Sequence, residues 1–193
     1  MTAALKRAHE TLDAIAKYSP TDVSGDDRPF ALAMFTSIAC EHFLAILILS
    51  QSGRTPGTVL TLFRPLAETI FRGQWLMVCA TDLEVSDFLS NPDFHFKGFK
   101  QLVDDIDQNQ QLHGFYDNFK AAYSVMCDYT HSGHLHATQR FSTQGIGPAY
   151  PLEMQVGSVT EAEKMLLVHC IFFCRALGEH EGANALTKLA NYF

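Results

Sequence analysis

Apolar positions recur along most of this chain at three- and four-residue intervals, the period that places them on one face of a helix. Leu5, Leu12 and Ile15, set among Lys6, Arg7, Glu10, Asp13 and Lys17, predict an amphipathic helix over 2–18 that ends at Ser19-Pro20. The polar stretch from Thr21 to Arg28, with Gly25, reads as a loop. A long helix is predicted from Pro29 to Ser52. Its second half, Phe43 to Leu49, is apolar on all sides and is expected to be buried, and Gly53 should stop it. Thr55-Pro56 is a helix start, since a threonine oxygen can cap free N–H groups and proline loses nothing in the first turn. The helix that follows carries Val59, Leu62, Phe63, Leu66, Ile70 and Met77 to about Ala80, with a kink expected where Pro65 removes the bond to the Thr61 carbonyl.

A short helix or turn is expected over 82–89, broken at Asn91-Pro92, and a further helix over 96–108. The strongest amphipathic pattern is Phe115, Phe119, Ala122, Tyr123, Met126 and Thr130, for which Gly133 offers a C-terminal cap. Residues 135–157 break the period: Thr138 to Thr143 tolerates a strand, Gly145 to Pro148 is turn chemistry, and Met154 to Val156 can pair back as a small hairpin. Helix resumes after a capping box, Ser158 with Glu161 or Thr160 with Glu163, and carries Met165, Leu166, His169, Phe173, Ala176 and Leu177 inward. A last short helix runs over 184–193 after the break from Gly178 to Gly182. The whole is an all-α, up-and-down bundle of five to seven helices with one small hairpin or ordered loop, in a single domain over residues 1–193.

Composition narrows the class. With 47% apolar and 18% charged residues, the chain is neither disordered nor a coiled-coil rod. A net charge of −7 provides no global field for nucleic acid, so an anion site must be a local cluster, and DNA is not expected as a partner. The longest uninterrupted apolar run, Phe43 to Leu49, is short of the roughly 20 residues of a membrane span, and no signal pattern opens the chain; a cytoplasmic protein without membrane contact is expected. Five cysteines without a C-x-x-C pair read as reduced, mostly buried thiols. An apolar fraction this high, at a mean hydropathy of +0.01, predicts a homodimer formed through helix faces.

Candidate chemistry concentrates in two places. Arg64, Glu68 and Arg72 follow each other at i,i+4 steps along one edge of an apolar helix, flanked by Phe71 and Trp75. On a surface this is a ladder of weak ion pairs; partly buried, it demands a counter-charge or a ligand, and guanidinium groups suit phosphate. The run from Asp128 to His136 holds His131, His134 and His136 at a helix end. It reads as an acid–base site through His131, as loop and cap chemistry, or as a metal site with Asp128 or Glu68 as oxygen donor. The ferritin-like arrangement would need two carboxylate-x-x-His pairs, and only Asp128-x-x-His131 is present, so neither a metal nor another cofactor is assigned. Glu41-His42 reads as a buried pair holding helices in register, and His169 as a hydrogen-bonded core histidine. Phosphate-loop, nucleophile-elbow, H-E-x-x-H and dinucleotide motifs do not occur.

The runs Leu62-Phe-Arg-Pro-Leu-Ala-Glu68, Phe71-Arg-Gly-Gln-Trp-Leu76 and Asp128-Tyr-Thr-His-Ser-Gly133 resemble an uncharacterised bacterial family of all-helical proteins, over about residues 30–175. Through it the chain is distantly similar to the HEPN superfamily, compact helical domains that often act as metal-independent ribonucleases in toxin–antitoxin and phage-defence systems. The resemblance implies RNA as a partner; the residues themselves offer the candidate catalytic group for its cleavage, with His131 to move the proton, Arg64 and Arg72 to face the charged phosphorane and Glu68 to orient an arginine or the histidine. The HEPN pattern of an arginine and a helix-end histidine with four to six residues between them is not met before His131, where Ser124, Val125 and Met126 stand. Arg175 and His180 fit that spacing, with Ala176 in the usual polar place. Seven arginines and nine histidines supply about one such match by chance. The alternative function is a non-catalytic helical interaction module with a buried Arg64–Glu68–His131 network.

Overall fold

A computed structural model of the chain describes residues 2–20, 23, 25–111, 115–143 and 145–191, with the side chains of 115–118 outside the description. Helices account for nearly all of its regular structure. They are α1 (Thr2–Tyr18), α2 (Asp27–Ser52), α3 (Pro56–Thr61), α4 (Phe63–Val78), α5 (Asp82–Ser90), α6 (Phe99–Gln110), α7 (Phe115–Thr130), α8 (His134–Thr138), α9 (Leu152–Ala176) and α10 (His180–Ala190). A two-residue hairpin, β1 (Phe141–Ser142) against β2 (Gly145–Ile146), interrupts them. The all-α bundle is therefore the fold. Among the described residues the helices number ten and exceed five to seven because the helix expected after Pro56 is divided into α3 and α4, the short helix or turn over 82–89 is the helix α5, and α8 is too short for a period of 3.6 to register. Of the loop before α2, Thr21, Asp22 and Ser24 lie outside the described residues, as do Tyr192 and Phe193 of the last helix.

The core forms in two parts. Leu5, Ala8 and Ile15 of α1, Phe43, Ile46 and Leu47 of α2, Leu66 of α4, Leu166, Leu167 and Cys170 of α9 and Leu186 of α10 make the first. The second is aromatic: Phe35, Phe71 and Trp75, with Phe88, Phe96 and Phe99 packed around them, close the α2–α4–α5–α6 end. Trp75 Nε1 donates to Asp105 at 2.9 Å, so the buried indole keeps its hydrogen bond.

Several local readings are corrected. Met154 to Val156 do not pair with a strand; they lie in α9, which begins at Leu152, and β1 finds its partner within the turn itself. Ser158 and Thr160 are thus interior helical residues and cap nothing. Glu163 is instead fully buried and accepts from Arg7 Nε and Nη2 and from Thr11 Oγ1, at 3.1, 2.9 and 2.7 Å, tying α9 to α1. Thr55 makes no side-chain capping bond, because its ψ of 50° departs from the extended backbone that directs a cap back onto the helix. Gly182 lies inside α10, where an added Cβ would meet the Tyr18 carbonyl at 2.5 Å. Glu41 is exposed and His42 only half-buried, so they form no buried lock.

Helix α2 is buried along one side only. Phe30, Met34, Ile38, Leu44 and Ile48 are each at least 40% exposed, on a face that the exposed Ser37 and Glu41 interrupt. By length and composition α2 is apolar enough to cross a membrane, a property hidden from a search for uninterrupted apolar runs because Glu41 and His42 divide it. Its other side packs against α4 and α9.

Candidate functional site

Helix α4 starts one residue after α3 ends. Pro65 has no N–H, so the Thr61 carbonyl loses its helical partner, and the hydrogen-bond ladder is interrupted at Leu62, whose φ of −79° and ψ of −11° stay right-handed. The Thr130 hydroxyl of α7 lies 3.4 Å from that freed carbonyl and 2.8 Å from its own Met126 carbonyl. The end of α7 is in this way brought beside the first turn of α4.

Helix α7 ends in a Schellman motif, with Gly133 N–H on the Asp128 carbonyl at 2.7 Å and Ser132 N–H near that of Tyr129 at 3.4 Å. The left-handed residue is Ser132, at φ 55°, and Gly133 is not the cap residue expected. Glycine is required there for space: a Cβ on Gly133 would sit 2.5 Å from the Asp128 carboxylate. That carboxylate in turn accepts the His136 backbone N–H at 3.1 Å.

This turn delivers His131 to α4. Glu68 is the hub, with a side chain 16% exposed. Its Oε1 accepts from Arg64 Nε at 2.7 Å and from the Tyr123 hydroxyl at 3.0 Å, and its Oε2 accepts from Arg72 Nη2 at 2.9 Å. Arg64 Nη1 donates to Nε2 of His131. Because a guanidinium can only donate, Nε2 is the acceptor in that contact. The four residues singled out in the sequence, Arg64, Glu68, Arg72 and His131, therefore meet in one network. Two guanidiniums against one carboxylate leave it an excess of one positive charge.

Tyr123 is the member the sequence analysis missed. Its place at an inward position of α7 is the same signal that marks packing, and only the approach of α4 turns its hydroxyl onto Glu68. Burial first, then the Glu68 hydrogen bond, push the Tyr123 phenol well above its ordinary pKa, which holds it as a donor. The Glu68 hydrogen bond likewise raises the Arg64 pKa. Arg64 lies over the Tyr123 ring at 5.7 Å and Arg72 over Phe96 at 5.2 Å, fixing both guanidinium planes. Arg72 Nε is buried without a hydrogen-bond partner among the described residues.

The network is not sealed. His131 is exposed, and the side chains of Arg64 and Arg72 are 25% and 39% exposed. The other histidines go elsewhere: His136 Nδ1 donates to the Tyr129 carbonyl at 2.9 Å, and His134 is exposed. Among the described residues no three His, Cys, Asp or Glu side chains gather where they could hold a metal ion, so the metal reading of this loop finds no ligand set. Arg175 and His180 are both exposed, at the turn between α9 and α10.

A family model described as a family of unknown function, DUF6988, matches residues 36–193. No curated protein and no solved structure matches the chain.

Proposed function

The chain belongs to the DUF6988 family, which carries no assigned activity, and from the site itself we propose metal-independent RNA cleavage of the HEPN-like kind. The observation that supports it is an exposed imidazole, His131, hydrogen-bonded to one of two guanidiniums that a single carboxylate holds in place.

The chemistry follows from the bonds present. Arg64 occupies the Nε2 lone pair of His131 in the free protein. A substrate phosphate is the stronger acceptor for Arg64, and when it draws the guanidinium away the lone pair becomes available. His131 then takes the proton of a ribose 2′-hydroxyl. The 2′-oxygen bonds to the adjacent phosphorus, the bond to the 5′-oxygen breaks, and the leaving oxygen acquires a proton, giving a 2′,3′-cyclic phosphate and a 5′-hydroxyl. Arg64 and Arg72 face the charge that builds on the phosphoryl oxygens, and Glu68 positions both. With a net charge of −7, the rest of the strand needs a surface that one copy lacks. A homodimer that sets two clefts side by side would provide it, and the bare stripe of α2 is the face proposed for that contact.

The stripe also favours a second reading, a helical interaction module whose polar network serves only to join α4 to α7. His131→Ala separates the two. Under the ribonuclease reading it abolishes release of cyclic-phosphate ends from single-stranded RNA, leaves the melting temperature within about 2 °C, and EDTA has no effect on the wild type. Wild-type protein that cleaves no RNA in a randomised pool, with a clearly destabilised His131→Ala, transfers the assignment to the interaction module.

A further inference from the structure

Three of the five cysteines gather where α2 packs on α9. Cys170 and Cys174, one turn apart on α9, are buried within the first part of the core, and the half-buried Cys40 of α2 packs against it. The two helices are drawn close at this level. One turn before Cys40, Thr36 Oγ1 lies 3.0 Å from Nε2 of His169, the neighbour of Cys170. The thiols of Cys40 and Cys170 hydrogen-bond to each other across the seam, while Cys174 Sγ donates to the Tyr18 carbonyl of α1 at 3.6 Å.

The two paired sulfurs differ in access and in charge. Cys40 is partly exposed, whereas Cys170 has no exposed surface. The Cys170 hydrogen bond, opposed by burial, holds the Cys40 thiol below its ordinary pKa, and the same bond together with burial holds Cys170 well above its own. A thiol has one proton to give, so Cys170 is the donor and Cys40 the sulfur that takes up negative charge more readily. An accessible thiolate touching a sealed thiol is the arrangement in which a sulfenic acid, once formed, is resolved to a disulfide. Cys79 shows the contrast: it too is half-buried, yet burial first and then Asp105 push its thiol up to about 11.

We propose that Cys40 and Cys170 form a reversible oxidation site, closing to a disulfide that staples α2 to α9 when the chain meets a hydroperoxide. The Cys40 thiolate attacks the terminal peroxide oxygen, the O–O bond breaks, and the sulfur becomes a sulfenic acid as hydroxide or alkoxide departs. Cys170 then attacks that sulfur: the S–S bond forms, the S–O bond breaks, and the Cys170 proton leaves with the hydroxyl as water. The two sulfurs give up two electrons between them and the peroxide takes both. A dithiol reverses the step by exchange. Neither cysteine belongs to the Arg64–Glu68–His131 network, so the proposal stands apart from the RNA-cleavage reading.

The folded full chain treated with hydrogen peroxide, alkylated and read by intact mass and peptide mapping tests the assignment. The expected product is a single chain that has lost two hydrogens, yields a linked Cys40–Cys170 peptide pair, and returns to its starting mass with dithiothreitol. Cys40→Ser should abolish the mass loss. Cys170→Ser should hold Cys40 at the sulfenic acid stage, raising its capture by dimedone at least about fivefold over wild type. Should Cys170→Ser not fold, the wild-type peptide map and Cys40→Ser decide the matter alone. A wild-type Cys40 that accumulates as sulfenic or sulfinic acid without a link would overturn the proposal. So would a link made through Cys79, Cys127 or Cys174 in its place, or a mass that changes only once urea has unfolded the chain.

Discussion

Glu163 shows how much a single buried carboxylate can depend on its partners. Its side chain is fully buried, while that of Arg7 is 38% exposed. Removing the arginine strands a buried charge, whereas removing the glutamate leaves a guanidinium that water can reach. Arg7→Met should therefore cost about 3–5 kcal/mol and Glu163→Gln about 1–3 kcal/mol in urea unfolding. Equal losses would refute the asymmetry. His169 makes a second prediction at this scale. Its folded pKa, lowered to about 4 by burial, lies below the ordinary 6.5 of the unfolded chain, so the unfolded state binds the proton first as pH falls. Its contribution is complete above pH 6.5 and is lost progressively toward pH 4, by on the order of 3 kcal/mol. Unfolding free energies at pH 7 and pH 5, compared with those of His169→Gln, isolate that slope; identical slopes would exclude His169 as its source.

At the scale of elements, the most extensive packing in the bundle is between α2 and α4. A Cβ added to Gly73 would meet Phe35 Cβ at 2.7 Å, an atom fixed to the α2 backbone. Alanine in a helix interior ordinarily gains about 1 kcal/mol over glycine. Here the two helices must separate, at about 1–3 kcal/mol, so Gly73→Ala should lower the urea midpoint despite its better propensity. A raised midpoint would show that α2 and α4 can part freely. The same packing turns one side of α2 into core and leaves Phe30, Met34, Ile38, Leu44 and Ile48 partly exposed. A uniformly apolar helix thus need not be surrounded, although its composition alone implies that it is.

For the whole molecule, that stripe is the apolar area most in need of cover, and the proposed homodimer supplies it. Light scattering at micromolar concentration should give the mass of two chains. Ile38→Glu, at the middle of the stripe, should give the mass of one while preserving the helical circular dichroism. A wild-type monomer would remove the dimer and, with it, the route by which a chain of net charge −7 assembles an RNA-binding surface.

Local chemistry carried most of the helix map. Period-3.6 patterns and Gly53 at the end of α2 act within one or two turns and are legible without the fold. The Arg64–Glu68–Arg72 ladder was legible for the same reason, since i,i+4 spacing alone makes those side chains neighbours. Everything that depends on a second helix was decided by packing. Whether His131 reaches Arg64, whether Tyr123 faces core or carboxylate, and whether Glu163 caps a helix or is buried against Arg7 turn on contacts between residues far apart in the chain. The start of α9 belongs with them: the side chains of Met154 to Val156 suit a strand or a helix on local chemistry alone. Docking against α1, α2 and α10 buries Val159, Ala162 and Leu166, which only a continuous helix presents together.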